Sequence, residues 1–220
     1  MRERAIVFWS GGKDCALARD EAWTEFDVVA LVTTVTATYD RISMHGVRRE
    51  LLLRQAASLG IPVRVIEISV GCTNDEYERA TRAALEEFAA AGVTVAICGD
   101  LFLEDVRKYR EDRLFPPGMR GVFPLWNRPT AELARKFIKR GFKAVLCCVD
   151  TQALEARFVG RPYDESLLAE LPAGVDPCGE NGEFHTFVAD GPDFATPIAY
   201  ELGERTLRDE RFAFCDLVPV

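Results

Sequence analysis

Ala5-Ile6-Val7-Phe8-Trp9-Ser10-Gly11-Gly12-Lys13-Asp14-Cys15 is the stretch on which the reading of this chain turns. Its first five residues are apolar and mostly β-branched or aromatic, which predicts a buried strand. Two glycines then permit a tight turn, and Asp14 to Trp23 has the pattern of a helix leaving that turn. Such a junction suits an anion. Glycines let the backbone approach a phosphate, and the free amides and dipole of the helix N-terminus favour negative charge. Lys13 adds a cation, and Asp14 is placed to help hold a magnesium ion against phosphates. The spacing is neither that of a Walker A loop, which needs four residues between its first glycine and Gly-Lys-Ser/Thr, nor that of the GxGxxG dinucleotide fingerprint. A strand-to-helix turn made tight by glycines is the plain structural alternative, and the full hexapeptide Ser10 to Cys15 weighs against it.

Working outward, apolar runs alternate with amphipathic stretches. Val28 to Thr34, Val63 to Ile68 and Val93 to Cys98 read as further strands. Val47 to Leu59 has helical spacing and stops at Gly60, while Thr73-Asn74-Asp75-Glu76 is a capping box that opens a helix running to Ala91. Strands that are continuously apolar and separated by helices predict an α/β fold, a doubly wound parallel sheet covered on both faces. Ligands in such sheets lie beyond the carboxyl ends of the strands, so the loops after Trp9, Thr34 and Cys98 face one side. The pattern shifts after Pro116-Pro117-Gly118. A helix over Thr130 to Arg140 and a strand over Ala144 to Val149 precede turn-rich chain with short strands at Phe184 to Val188, Ile198 to Leu202 and Phe212 to Leu217. This predicts a nucleotide-binding domain over 1–123 and a smaller C-terminal α+β domain over 124–220.

Composition narrows the classes. Of the 220 residues 48% are hydrophobic and 28% charged, an ordinary globular mixture, and no apolar run approaches the roughly 18–20 residues of a membrane helix. The charged, short beginning does not read as a signal peptide, so the expectation is a cytoplasmic protein with no membrane partner. A net charge of −8 argues against a nucleic-acid partner. Seven cysteines without a CxxC pair support neither a zinc site nor a disulfide framework, and Cys98, Cys147 and Cys148 sit in apolar runs as small hydrophobes.

A second stretch is denser in chemistry. Asp176-Pro177-Cys178-Gly179-Glu180-Asn181-Gly182-Glu183-Phe184-His185-Thr186 packs carboxylates, an amide, an imidazole and a hydroxyl into a glycine-bearing loop entering a strand. A solvated, capped loop is the bland alternative. The chain has two histidines, His185 here and His45 in Ser43-Met44-His45-Gly46, and the topology puts both on the same side of the sheet.

Ser10-Gly11-Gly12-Lys13-Asp14-Cys15 resembles the Ser-Gly-Gly-x-Asp-Ser signature of the PP-loop ATP pyrophosphatases, of the HUP fold. That superfamily cleaves ATP between its α and β phosphates to make an adenylate. Cys15 departs from the usual serine and is a weaker hydrogen-bond donor. Gly179 to Thr186 resembles the hallmark of the diphthine–ammonia ligase family, and Gly99-Asp100 with Leu101 to Arg110, and Phe123-Pro124-Leu125-Trp126, are similar to that family as well. The resemblance implies an ATP-dependent, AMP-producing ligase of diphthamide biosynthesis, which adenylates the diphthine carboxylate of elongation factor 2 and transfers ammonia to it.

The same resemblance implies site residues. Ser10, Gly11, Gly12, Lys13, Asp14 and Cys15 would bind ATP, with Thr33 and Met44 near the nucleotide and Gly99 and Asp100 on the facing strand end. Glu180, Asn181, Gly182, Glu183, His185 and Thr186 would receive the acceptor, Glu180 and Glu183 complementing its quaternary ammonium and Phe184 adding cation–π attraction. Lys13, Asp14 and His185 are the catalytic candidates, His185 as proton acceptor for ammonium. The length leaves no room for a glutaminase domain, so free ammonia is expected. Two other readings stay open: a PP-loop pyrophosphatase or nucleotide hydrolase with a different small acceptor, favoured if the host is bacterial, and a nucleotide-binding sensor without catalysis. A homo-oligomer is compatible with the sequence, which leaves the oligomeric state open.

Overall fold

The computed structural model describes residues 2–220. Its first half alternates strands and helices in the order β1 (Glu3–Phe8), α1 (Lys13–Ala22), β2 (Phe26–Thr36), β3 (Arg41–Ile42), α2 (Arg49–Leu59), β4 (Val63–Ile68), α3 (Asn74–Ala90) and β5 (Val95–Ile97). A short helix α4 (Glu104–Tyr109) and a π-helical turn over Arg110–Leu114 lead to β6 (Arg120–Val122). The six strands form one sheet, with β1 between β2 and β5, β4 on β2 and β6 on β5, all parallel; only β3 runs antiparallel, against the end of β2. The unbroken apolar runs follow from two-faced burial. Ala5, Val7, Leu31, Val95 and Ile97 pack on the α1 and α2 side, while Ile6, Ala30, Val32 and Ala96 pack on Ala84 and Leu85 of α3.

Helix ends follow the local chemistry. Gly60 closes α2 in the left-handed conformation, with φ at 64°. Thr73 and Glu76 cap each other's backbone amides at the start of α3. Neither β3 nor β6 is foreseen in the sequence: β3 has two residues, and Arg120-Gly121-Val122 is an edge strand without an apolar run.

The second half holds α5 (Thr130–Lys139), β7 (Lys143–Asp150), α6 (Glu165–Glu170), β8 (Phe184–Asp190), β9 (Tyr200–Arg208) and β10 (Phe212–Pro219). Its strands form an antiparallel sheet in the order β8-β7-β10-β9. The predicted strand from Ile198 starts two residues later and runs six residues further, because β9 is a mostly exposed edge strand whose polar sequence carries no core pattern. One apolar cluster runs from Val7 and Leu51 through Phe137 and Val149 to Leu217, so the two sheets share a core. Among the described residues, no helix is long and apolar enough to cross a membrane.

Candidate active site

A cavity of about 310 Å³ opens at the carboxyl ends of β1, β2 and β5, where the sheet meets β8. Ser10, Lys13, Asp14 and Cys15 line it from the first loop, with Thr33 and Thr34 from β2, and Gly99, Asp100 and Arg110 from beyond β5. Gly179, Glu180, Gly182, Phe184, His185 and Thr186 line it from the second half, and His45 from the loop before α2. Parallel strands that end together bring residues far apart in sequence to one rim.

The loop of Ser10 to Cys15 is held from behind. Gly11 has φ at +77°, which suits glycine, and its carbonyl accepts from the backbone amide of Val188 (2.8 Å) and from Nε2 of Gln55 (3.0 Å). The amide of Lys13 donates to Oγ1 of Thr186 at 3.0 Å. Gly99 lies so near the start of α1 that a Cβ there would sit 2.8 Å from the carbonyl carbon of Asp14 and the nitrogen of Cys15. The Cys15 thiol turns back to donate to the Gly12 carbonyl at 3.0 Å. Lys13 is buried; Nζ bonds Asp14 at 2.7 Å and also the Cys178 carbonyl. Burial, the largest single influence, pulls its ammonium pKa down, but Asp14, Cys178 and Glu180 together leave it above its ordinary value. Burial raises the Asp14 carboxyl against the pull of Lys13. Asp100 is ion-paired with Arg110 at 3.0 Å, and Thr33 donates to the Trp9 carbonyl.

The second loop divides its polar groups. Oε1 of Glu180 accepts from the Leu101 amide at 2.7 Å, across to the other half of the molecule. Burial, opposed by that amide and aided by Asp14 and Asp100, pushes the Glu180 carboxyl up to about 7. Glu183 departs from the expected acceptor role. It is buried, does not line the cavity, and accepts from the amides of Asp176 and Asn181 and from Nδ2 of Asn181, each at 3.0 Å. Its carboxylate organises the loop from within, and Asn181 is turned to that task. Thr186 lines the cavity, but its hydroxyl accepts from the backbone amide of Lys13. Met44 also departs from expectation: it is 72% exposed, with φ at 66°, and does not line the cavity, because the tight turn over residues 43–46 points it to solvent while aiming His45 inward.

The rings of His45 and His185 lie 4.6 Å apart, centroid to centroid. Burial, then the His185 ring, holds His45 down to about 3, and burial with the Lys13 charge holds His185 down to about 4. Both imidazoles are therefore neutral near pH 7.

Residues 3–116 match the model of the diphthamide synthase N-terminal domain, and residues 129–217 that of the diphthamide synthase C-terminal domain. The chain belongs to the diphthamide synthase family. It is 26% identical to the diphthine–ammonia ligase of Mus musculus over 94% of this chain and 85% of that protein. With the diphthine–ammonia ligase of Danio rerio it is 27% identical over 96% of this chain and 91% of the relative. A solved chain described as a predicted subunit of tRNA methyltransferase from Methanocaldococcus jannaschii overlaps 86% of this chain and 98% of its own length, at 15% identity and a TM-score of 0.44, too loosely to carry anything about function.

Sequence reasoning passed over two residues that the site brings in. Gln55 is fully buried, with Oε1 accepting from Nε1 of Trp9 at 3.0 Å and Nε2 donating to Gly11 and Val188 carbonyls. Its signal was a lone amide one turn after Leu51 in an otherwise apolar helical stripe. Arg110 lies in the π-helical turn, a local irregularity that a hydrophobic pattern does not announce.

Proposed function

We propose that the protein is an ATP-dependent diphthine–ammonia ligase, with residues 1–123 binding ATP and 124–220 receiving the acceptor. The observation that carries this reading is the meeting of the two loops at one cavity, where the Lys13 amide bonds Thr186 and the Leu101 amide bonds Glu180. The relatives' shared name and the family match support it. The finer proposals are elongation factor 2 as the bearer of the carboxylate, the cytoplasm as the compartment, and magnesium with the nucleotide.

For magnesium, Asp14 fits as a single protein ligand beside the phosphates: it lines the cavity, and its side chain is 30% exposed despite the bond to Lys13. Among the described residues no group of three or more His, Cys, Asp or Glu is placed to hold a metal ion, and beside Asp14 the nucleotide phosphates would serve as further ligands. When bound, the ion neutralises charge on the phosphates.

The acceptor carboxylate oxygen attacks the α-phosphorus and pyrophosphate departs, leaving an acyl-adenylate. Ammonium gives one proton to a base, ammonia attacks the acyl carbon, the tetrahedral adduct gives up a second proton to solvent, and AMP leaves with the carboxyl oxygen. Glu180 is the better base. Its pKa near 7 suits proton transfer at neutral pH, whereas His185 is held near 4. His185, neutral, then orients the acceptor by hydrogen bonding.

Product analysis tests the reading. Incubation with ATP, ammonium and diphthine-bearing elongation factor 2 is expected to yield AMP, pyrophosphate and the amide in equal amounts. ADP as the main product would refute it. AMP formation with another carboxylate but not with diphthine would favour a different acceptor, and ATP binding without turnover would favour a sensor.

A further inference from the structure

We propose that Gln55 is a positioning residue that aims the Gly12 N–H at the phosphate site. This rests on the reading of the Ser10–Cys15 loop as the ATP site and goes beyond it, since Gln55 itself does not line the cavity. A trans peptide is planar, with its C=O and N–H pointing in opposite directions. The Gly11–Gly12 peptide has its oxygen anchored by two donors from residues that do not line the cavity, Nε2 of Gln55 at 3.0 Å and the Val188 amide at 2.8 Å. Its N–H must then point the other way. There it meets only a long contact of 3.4 Å to Oγ of Ser10, a cavity-lining hydroxyl that a phosphate oxygen can displace.

Orientation matters here because glycines flank this peptide on both sides, and glycine backbones permit the flip that would turn the oxygen toward the phosphates. The next amide offers no replacement, since Lys13 N–H is already given to Thr186. Gln55 cannot itself rotate freely. Its Nε2 also donates to the Val188 carbonyl at 2.6 Å and its Oε1 accepts from the Trp9 indole at 3.0 Å, so the amide is satisfied in one orientation. A leucine or methionine fills the same volume but cannot donate.

Titration calorimetry with a non-hydrolysable ATP analogue, paired with NMR of the Gly12 amide, tests this. For wild type the Gly12 amide proton is expected to shift downfield on saturation with the analogue, as a new charge-assisted bond forms. For Gln55→Leu the dissociation constant is expected to rise about tenfold, the effect of losing about one hydrogen bond's worth of orientation, with one site per folded protein retained. If Gln55→Leu does not fold, Gln55→Met, unbranched and more adaptable, carries the same expectation. An unchanged dissociation constant in a folded variant would overturn the proposal, as would a reduced number of sites at unchanged affinity, which marks a purely structural role. A Gly12 amide unmoved by the analogue in wild type overturns it too, while the ATP reading stands. Failure of wild type to bind the analogue at all would sink that reading and this proposal with it.

Discussion

The two loops that meet at the cavity work by opposite means. Ser10 to Cys15 offers backbone: its Gly11 carbonyl is held from behind by Gln55 and Val188, and its one lysine is tied to Asp14 and Cys178. Gly179 to Thr186 is crowded with polar side chains, yet three of them work within the protein. Glu183 bonds the Asn181 side chain and two loop amides, and Thr186 bonds the Lys13 amide. A density of polar groups therefore measures the cost of building an irregular loop as much as it measures chemistry. Among the polar side chains of Gly179 to Thr186, Glu180 and His185 line the cavity without bonding their own loop or the Ser10–Cys15 loop.

The largest expected effect breaks the backbone-based loop. Gly11→Val puts a branched side chain at φ +77° and a Cβ 2.8 Å from Oε1 of buried Gln55. A strain of roughly 3 kcal/mol lowers affinity for an ATP analogue by about a hundredfold or more, measurable by calorimetry on folded protein. Affinity equal to wild type would mean that phosphates bind elsewhere.

The other two predictions sharpen the contrast inside the second loop, between carboxylates three residues apart. Glu180 accepts a proton only as the carboxylate, so the wild-type rate of amide formation rises as pH passes about 7 and levels above it. Glu180→Gln is expected to lower that rate about a hundredfold and to abolish the rise near pH 7, with pyrophosphate–ATP exchange retained. A pH profile identical in the variant would move the base elsewhere.

Glu183→Gln, by contrast, should show in stability. An amide replaces one accepting oxygen with NH₂, which then faces a buried N–H donor. A loss of about 2 kcal/mol is expected, and with it about 4–8 °C of melting temperature, read by calorimetry, while ATP affinity stays near wild type. An unchanged melting temperature with lost turnover would return Glu183 to the acceptor site.

Much of the fold is legible in residue patterns. The strand-to-helix turn at Trp9–Lys13, the stop at Gly60 and the capping box at Thr73 are local signals, and each element they imply is present. β6 and β9 were hidden or shortened because edge strands need no two-faced apolar run. At the site, position along the strand ends was readable, but direction was not. Met44 and His45 are adjacent, and only the turn decides which points inward. Glu180 and Glu183 share a composition, and the backbone path through Gly179 and Gly182, both at positive φ, sends one to the cavity and one into its own loop.

The seam between the sheets also bears on motion. Thr186 and Val188 of β8 are bonded to Lys13, Gly11, Gln55 and His45, and a continuous apolar core lies beneath. Swinging the halves apart as jaws would break these bonds together and open the shared core. On the function proposed above, nucleotide would exchange through a standing mouth, and the acceptor would reach in as a protruding segment rather than be engulfed.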